Sequence, residues 1–207
     1  MVKSKRSVSD EPILITPKFF EQLYMQFTNK HFKYKTIFEF KQRDSALCSC
    51  SVLAGTRATE TAHLKKKQFK DLDDRILLLN VKTQKRGYMR PRITFPKTGV
   101  LKEFTLNFAE WLSQVRDEES YVFPHGSSFG ISWDKPLSRY RIERIVKIKT
   151  GKFPHWLRGV HETYYGNIIF KGNAWKLADH MGLKRLDSTK PYVQSSFTED
   201  IEARLFT

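Results

Sequence analysis

The hydrophobic pattern of the chain changes from helical to β-type between Lys70 and Phe95. Two β-rich runs, RILLLNVK and GYMRPRITF, flank the polar stretch TQKR and predict an antiparallel hairpin, with a short third strand near Gln68. Pro91 indicates an edge strand, because proline has no amide hydrogen to donate to a further strand. Apolar residues recur at helical spacing on both sides of this stretch. The sequence therefore predicts a mainly α fold with a small antiparallel β-sheet, in the α+β class.

Several helix boundaries follow from capping residues. Thr16 precedes the apolar-periodic run PKFFEQLYMQF, which predicts an N-cap followed by a helix. A second helix over about 36–54 ends at Gly55, where the missing Cβ permits a positive φ. Thr59 is a candidate cap for the short helix after Arg57.

The later part of the chain continues the helical pattern. GVLKEFTLNFAEWLSQVRDE predicts one helix, and LSRYRIERIVKIK predicts a basic amphipathic helix with Ser138 as its cap. Between them, residues 120–136 are rich in Gly, Ser, Pro and aromatics and are predicted to form a loop that contains His125.

The net charge of the chain is strongly positive. There are 37 Lys and Arg residues against 22 Asp and Glu, a formal charge of +15. Such an excess favours a polyanionic partner, most commonly nucleic acid, over the alternative of a merely solvated basic face. Hydrophobic residues make up 40% of the chain, which predicts a packed core.

The sequence gives little support for a metal site, a cofactor or a membrane-spanning segment. Cys48 and Cys50 lie two apart in an apolar helical stretch and point to different faces, so we expect core thiols and neither a disulfide nor a metal site. We expect no other cofactor. No run of about 18 apolar residues and no signal-peptide h-region occurs. The predicted location is the cytoplasm, in association with the nucleoid. For a viral protein it would be the cytoplasm of the host cell.

Most of the side chains suited to catalysis lie in residues 153–193. His155 and Arg158 are three apart at the start of a predicted helix, so their side chains share one face. His180 ends a second helical run, and Tyr192 closes the segment. With one arginine and one lysine from upstream, these residues form a candidate phosphoryl-transfer site: Arg57, Lys82, His155, Arg158, His180 and Tyr192.

Four stretches, in chain order, resemble the motifs of the tyrosine recombinases, the phage-integrase and Xer family. LAGTRATE, residues 53–60, is similar to the first arginine box, usually close to TGLRxxE. RILLLNVKTQKRGYMRPRITF resembles the hairpin that carries the family's lysine. HWLRGVHETYYG, from His155, is similar to the HxLRHTFAT box, and LADHMGLKRLDSTKPYV resembles the LLGHxxxxTTxxYxH stretch that ends in the nucleophile. The resemblance begins at about Thr16.

The sequence departs from the family pattern in three ways. His180 and Tyr192 are twelve residues apart, a longer spacing than is usual, and the rival nucleophiles are Tyr164 and Tyr165. Gly159 stands where histidine is frequent. Only about a dozen residues precede the first matching helix, whereas the family normally has an N-terminal DNA clamp. The sequence is therefore that of a catalytic domain alone or of a naturally minimal relative, such as an archaeal or viral integrase.

The resemblance implies a catalytic domain over 13–193. It follows a disordered basic tail, 1–12, and precedes a C-terminal helix, 194–207, that packs on a neighbouring protomer. In this interpretation Tyr192 attacks a DNA phosphodiester, a 3′-phosphotyrosyl bond forms and a 5′-hydroxyl leaves, without a metal. Glu60 is expected to brace Arg57.

Each remaining site residue has an implied role. The two arginines bind the non-bridging phosphate oxygens through their guanidinium groups. Lys82, or alternatively Lys85, protonates the leaving 5′-oxygen. His155 takes the tyrosine proton, and His180 donates a hydrogen bond to the phosphate. His161 is expected to be structural.

Double-stranded DNA is the predicted partner, with self-association into a four-protomer synapse and no membrane. The predicted DNA contacts come from the basic hairpin, the basic helix and the chain before the hairpin: Lys65, Lys85, Arg86, Arg90, Arg139 and Arg141. Two alternatives remain open. One is a DNA-binding module that does not cut, and the other is a nicking enzyme of the type IB topoisomerase kind.

Overall fold

The protein is described by a computed structural model over residues 13–29, 38–83, 89–127, 130–183 and 186–193. Its helices are α1 (Pro17–Asn29), α2 (Phe38–Ala54), α3 (Ala58–Ala62), α4 (Lys102–Gln114), α5 (Arg139–Thr150), α6 (Pro154–Tyr164) and α7 (Ala174–Met181). Its strands are β1 (Phe69–Asp71), β2 (Arg75–Lys82), β3 (Met89–Pro96), β4 (Pro124–Ser127) and β5 (Gly130–Pro136). The predicted mainly α fold with a small antiparallel sheet is confirmed. The predicted tails, 1–12 and 194–207, lie outside the described residues.

The predicted hairpin and its short third strand form one antiparallel sheet in the order β1-β2-β3. Within the described sheet β3 is an edge strand, as Pro91 predicted. At the open end Val81 pairs with Arg90, and Lys82 pairs with Met89. Further along β3, the side chain of Phe95 is buried in the core. The sheet thus leads from the helical core to the residue predicted as the catalytic lysine.

The central helix of the core is α2, which packs against α1, α4 and α6. Its residues from 43 to the end of the helix are all buried, including Cys48 and Cys50, which are unbonded thiols as predicted. Aromatic rings join the neighbouring elements, with Phe20 and Phe27 of α1 both packing edge-on against Phe104 of α4. Because α2 is enclosed, the turn at its C-terminal end is fixed by the whole core.

Residues 120–136 are not the loop that their composition predicted. They contain a second antiparallel hairpin, in which His125 pairs with Ser132 and Ser127 with Gly130. The prediction is wrong because glycine and serine favour loops only locally, whereas hydrogen bonds to neighbouring segments hold this two-stranded ribbon. Val122 N donates to Leu64 O at 2.9 Å.

The cap of α3 also differs from the prediction. The helix begins at Ala58, so Arg57 is the N-cap residue and Thr59 lies inside the helix. The backbone N–H of Arg57 donates to Oε2 of Glu60 at 2.8 Å. This carboxylate satisfies the cap backbone three residues earlier, which shifts the helix start to Ala58.

Among the described residues no helix is long and apolar enough to cross a bilayer.

Ser138 caps α5 as predicted, and its hydroxyl accepts from Arg141 N at 3.2 Å. We expect Ser138→Ala to lower the free energy of unfolding by about 1 kcal/mol, because an amide at the helix start loses its acceptor. Urea denaturation followed by circular dichroism measures the change. Ser138→Asp is the matched control and should retain wild-type stability. Equal losses in both variants would contradict the capping role.

Candidate active site

The turn after α2 is the point at which the candidate site is assembled. Gly55 has φ +57°, and a Cβ built on it would lie 2.4 Å from Cδ2 of His161. Its carbonyl oxygen accepts a hydrogen bond from Nη1 of Arg158 at 2.8 Å. Only glycine satisfies both the left-handed backbone and the contact with the imidazole. Two α6 side chains are therefore held by one residue of this turn.

Arg57 follows this turn and is braced by Glu60, as predicted. Nη1 of Arg57 lies 2.8 Å from Oε1 of Glu60, and the carboxylate is fully buried. The arginine side chain remains 31% exposed. Because one edge of the guanidinium is held by the carboxylate, the rest is pointed outward in a fixed direction, as an anion site requires.

Arg158 lies on α6 and is almost wholly buried. Its Nε is 2.9 Å from Oε1 of Glu162, one helical turn later, and only 3–4% of either side chain is exposed. Burial raises the pKa of Glu162, while the charge of Arg158 opposes the rise. Such a pair is stable only when its charges are mutually compensated. Because Nε is bound to Glu162 and Nη1 to the carbonyl oxygen of Gly55, the orientation of the guanidinium is fixed at two of its nitrogens.

His155 lies in the first turn of α6 and is exposed. Partial desolvation, together with the positive charges of Arg158 and Arg57, lowers the pKa of its imidazole. These three residues from two segments therefore share one electrostatic environment. A neutral imidazole at pH 7 is able to accept a proton.

His180 and His161 are hydrogen-bonded to each other. Their Nε2 atoms are 2.9 Å apart, and Nδ1 of His161 is 2.8 Å from the carbonyl oxygen of Val52. Tyr165 stacks on both rings, at centroid distances of 4.3 Å to His161 and 4.5 Å to His180. His161 is therefore more than a packing residue, because it holds the side chain of a candidate catalytic histidine.

The bonding pattern fixes the tautomers of this pair. A carbonyl oxygen only accepts, so Nδ1 of His161 carries its proton and Nε2 holds a lone pair. Nε2 of His180 must then be the donor. Burial, followed by the charge of Arg90, lowers the pKa of His180 to about 3, so the ring is neutral. The proton that His180 was predicted to offer to a phosphate is directed at His161.

Arg90 is buried, and the expectation that it lies on the basic surface of the hairpin is wrong. Only 1% of the residue is exposed, and its Nε donates to the carbonyl oxygen of His180 at 2.7 Å. Burial lowers the pKa of Arg90, and the charge of Arg158 lowers it further. Arg90 and Arg92 are two residues apart and therefore lie on the same face of β3, but the end of α7 covers Arg90 while Arg92 stays exposed. Arg90 ties the hairpin to the end of α7.

Tyr192 lies against α6 despite its long spacing from His180. Two short 3₁₀ turns, Leu186–Ser188 and Lys190–Tyr192, return the chain to this helix. A Cβ built on Gly159 would lie 3.7 Å from Cε1 of Tyr192. The phenol interacts with Glu162, and burial followed by this carboxylate raises the pKa of Tyr192 to about 12.

The structure thus brings together five of the six predicted catalytic residues. Arg57, Arg158 and His155 share one region, Tyr192 lies beside the Arg158–Glu162 pair, and the charge of Arg158 acts on His180. Lys82 is exposed at the end of β2 and makes no ion pair with any described residue. Two arginines beside a tyrosine hydroxyl are suited to binding an anion next to a nucleophile.

The predicted DNA-contacting residues are scattered. Lys65 is bound to Glu119 at 3.0 Å and lies over the ring of Tyr121. Arg139 is exposed and pairs with Glu143 at 2.7 Å, and Arg141 is half-buried in the same first turn of α5. Lys85 and Arg86 lie outside the described residues.

The sequence analysis predicts no role for Glu162 and only a structural one for His161. His161 lies three residues after Arg158, and Glu162 lies four residues after it. Residues at these spacings are neighbours on a helix. The helical spacing could therefore have indicated the Arg158–Glu162 pair, whereas the contact between His161 and Gly55 is made between distant segments.

The close contact at Gly55 gives a stability prediction. We expect Gly55→Ala to lower the free energy of unfolding by more than the roughly 1–3 kcal/mol of a strained backbone alone, because the new Cβ collides with His161. Gly99→Ala is the control, since Gly99 has φ +67° but no atom within 4 Å of a built Cβ. Guanidinium denaturation measures both. Equal losses would contradict a steric role for His161.

The buried histidine pair gives a pH prediction. The pKa of His180 is about 3 in the folded chain and near 6.5 when exposed, so the unfolded state binds the extra proton between these values. Stability is therefore fully present above pH 6.5 and falls as the pH drops below it. His180→Gln should flatten this dependence in urea denaturation, whereas exposed His125→Gln should not. An unchanged slope in His180→Gln would contradict the burial of a neutral ring.

By sequence, no protein-family model and no curated protein matches the chain. Solved structures match it by fold. The XerH site-specific recombinase in a post-cleavage complex with a palindromic difH substrate aligns with a TM-score of 0.63 at 16% identity, over 97% of this chain and 54% of that one. XerA recombinase aligns at 0.60 with 18% identity, over 99% and 66%.

A lambda integrase dimer bound to a COC′ core site aligns with a TM-score of 0.56 at 13% identity, over 94% of this chain and 63% of that one. The chain spans about half the length of XerH. The chain therefore has the fold of the catalytic domain of tyrosine recombinases.

Proposed function

We propose that this chain cuts and rejoins DNA through a covalent bond between Tyr192 and a 3′-phosphate. The observation that carries the proposal is the position of Tyr192, whose phenol interacts with Glu162 beside buried Arg158. A tyrosine next to a fixed arginine is suited to attack on a phosphodiester. The recombinase fold supports the same reaction.

The two arginines are proposed to bind the scissile phosphate. Negative charge spreads over the non-bridging oxygens in the transition state, and guanidinium groups can donate paired hydrogen bonds to them. Arg57 is braced by Glu60 and Arg158 by Gly55 and Glu162, so both are oriented before DNA arrives. Preorganised donors lose little free energy to reorientation during the reaction.

The proton transfers involve other residues. As Oη of Tyr192 bonds to phosphorus, the bond to the 5′-oxygen breaks and that oxygen needs a proton. Lys82 is the proposed donor, with Lys85 as the alternative. His155 is neutral at pH 7 and fits the predicted role of base, although the carboxylate that meets the Tyr192 hydroxyl is Glu162.

DNA binding is proposed to rest on charge. The chain carries +15, and Lys65, Arg139 and Arg141 supply basic side chains outside the site. Phosphate contacts of this kind fall off steeply with salt. Recombination in addition would require four protomers on two duplexes, and we propose that synapse as the assembled state.

The test is covalent capture on a nicked suicide duplex that carries a cognate-like site. We expect wild-type protein to form a protein–DNA adduct on a denaturing gel, and Tyr192→Phe to form none, because the attacking oxygen is gone. Tyr164→Phe is the matched control and should still form the adduct, since Tyr164 packs in the core.

Three other outcomes would redirect the proposal. An adduct that persists in Tyr192→Phe and disappears in Tyr165→Phe would move the nucleophile to Tyr165. If the protein nicks and religates any duplex, with no preference for a particular site, a topoisomerase-like enzyme would be favoured. DNA binding without any adduct would favour the non-cutting module.

A further inference from the structure

We infer that Glu162 is a further catalytic residue, which accepts the phenolic proton of Tyr192 as that tyrosine attacks the phosphate. The inference rests on the proposed function and assigns its base. Nothing in the motif resemblance gives this position a role. The inference depends on the position of Tyr192, the burial of Glu162 and the charges around the carboxylate.

Tyr192 packs against Gly159 of α6 and against Gly166, which follows the end of that helix. Gly159 leaves room for its ring, because a built Cβ would lie 3.7 Å from Cε1. Gly166 meets its backbone, since a built Cβ there would be 2.9 Å from the Tyr192 carbonyl oxygen. The amide of Tyr192 donates to Thr189 O at 2.9 Å. The phenol is thereby directed along the helix face that carries Glu162.

Glu162 is a carboxylate that is already bound and desolvated. It is 3% exposed, and one oxygen pairs with Nε of Arg158 at 2.9 Å. The carboxylate also meets the Tyr192 hydroxyl, which can donate a hydrogen bond to it. A base must lie within hydrogen-bond reach of the proton it removes, and Glu162 is the carboxylate with which the phenol of Tyr192 interacts.

The charged and titratable groups that face Glu162 come from its own helix and from three other elements. Arg158 lies on the same helix, Arg57 acts from the turn before α3, Arg90 from β3, and Tyr192 from the last 3₁₀ turn. The three positive charges favour the ionised form of the carboxylate. Burial works against them and raises the pKa of Glu162, which makes it a stronger base than an exposed carboxylate.

His155 is less well placed for this step. It is exposed in the first turn of α6, and Glu162 lies two turns later on the same helix face, where it interacts with the phenol of Tyr192. The electrostatic neighbours of His155 are Arg158 and Arg57. These contacts suit a residue that meets the phosphate and not the phenol.

The reaction balances without a further reagent. The O–H bond of Tyr192 breaks as its oxygen bonds to phosphorus, and the proton moves to Glu162. The bond from phosphorus to the 5′-oxygen breaks, and that oxygen takes a proton from Lys82. In rejoining, the 5′-hydroxyl attacks, Lys82 regains its proton, and Glu162 returns the other to Tyr192.

Single-turnover cleavage of a suicide duplex tests the inference. We expect Glu162→Gln to cleave at least about 100-fold more slowly at pH 7, because the amide cannot accept the proton. Glu110→Gln is the matched control, since the exposed side chain of Glu110 lies outside the candidate site and accepts from Gln42 at 2.9 Å. It should cleave at the wild-type rate.

The pH profile separates proton transfer from a merely structural loss. In Glu162→Gln the rate should rise about tenfold per pH unit from 7 to 9, because it follows the small phenoxide fraction. The wild-type rate should be nearly flat over that range. Parallel profiles would overturn the inference, because misplacement of Arg158 alone lowers the rate equally at every pH.

A duplex with a 5′-bridging sulfur in place of the leaving oxygen isolates the two protons. Thiolate leaves without protonation, so Lys82→Ala should regain activity on it. Glu162→Gln should keep its defect, since the tyrosine proton must still be removed. Rescue of Glu162→Gln by sulfur would overturn the inference.

A folding check and a second variant complete the test. If Glu162→Gln does not fold, Glu162→Asp keeps the charge beside Arg158 but draws the carboxylate back by one methylene. It should cleave more slowly than wild type with a flat pH profile, and a wild-type rate would overturn the inference.

If wild type forms no adduct, the proposed function itself fails. If Glu162→Gln cleaves at the wild-type rate, only the role of Glu162 is overturned.

Discussion

The Gly55 carbonyl and the Cα face of the same residue hold the candidate site together. The carbonyl accepts from Arg158, and the bare Cα lies against His161, which in turn holds His180. Any side chain at Gly55 would push the imidazole away and, through it, the end of α7. Because α2 is enclosed by the core, this turn has one position. The geometry of the candidate site is therefore a consequence of helix packing.

Buried charge is the second feature on which the site depends. Arg158, Glu162 and Arg90 are almost completely withdrawn from water, and an isolated ion in such a place would cost several kcal/mol. Arg158 and Glu162 compensate each other, while Arg90 donates to a helix-terminal carbonyl. Such groups destabilise the fold when one partner is lost. Buried charges of this kind suit a site that needs oriented charge in a low-dielectric setting.

Local pattern predicted much of the secondary structure. Thr16 and Ser138 cap their helices as expected, and the strand pair around Lys82 forms as the alternation predicted. The hairpin at 120–136 was missed because its glycines and serines dominate the composition, whereas long-range hydrogen bonds decide the pairing. Arg90 was misplaced for a similar reason. A charged residue in a strand gives no sign of whether a helix from a distant segment will cover it, as the end of α7 covers Arg90.

The sequence by itself determined the fold class, the order of the motifs and the identities of the candidate residues, because periodicity and capping are local. It also contained the Arg158–Glu162 spacing, which fixes one helical turn between two opposite charges. Only the tertiary structure decided that Tyr192 returns to α6 and that His180 points at His161. These contacts join residues from separate segments, and their geometry is set by how the helices close around α2, which no local pattern specifies.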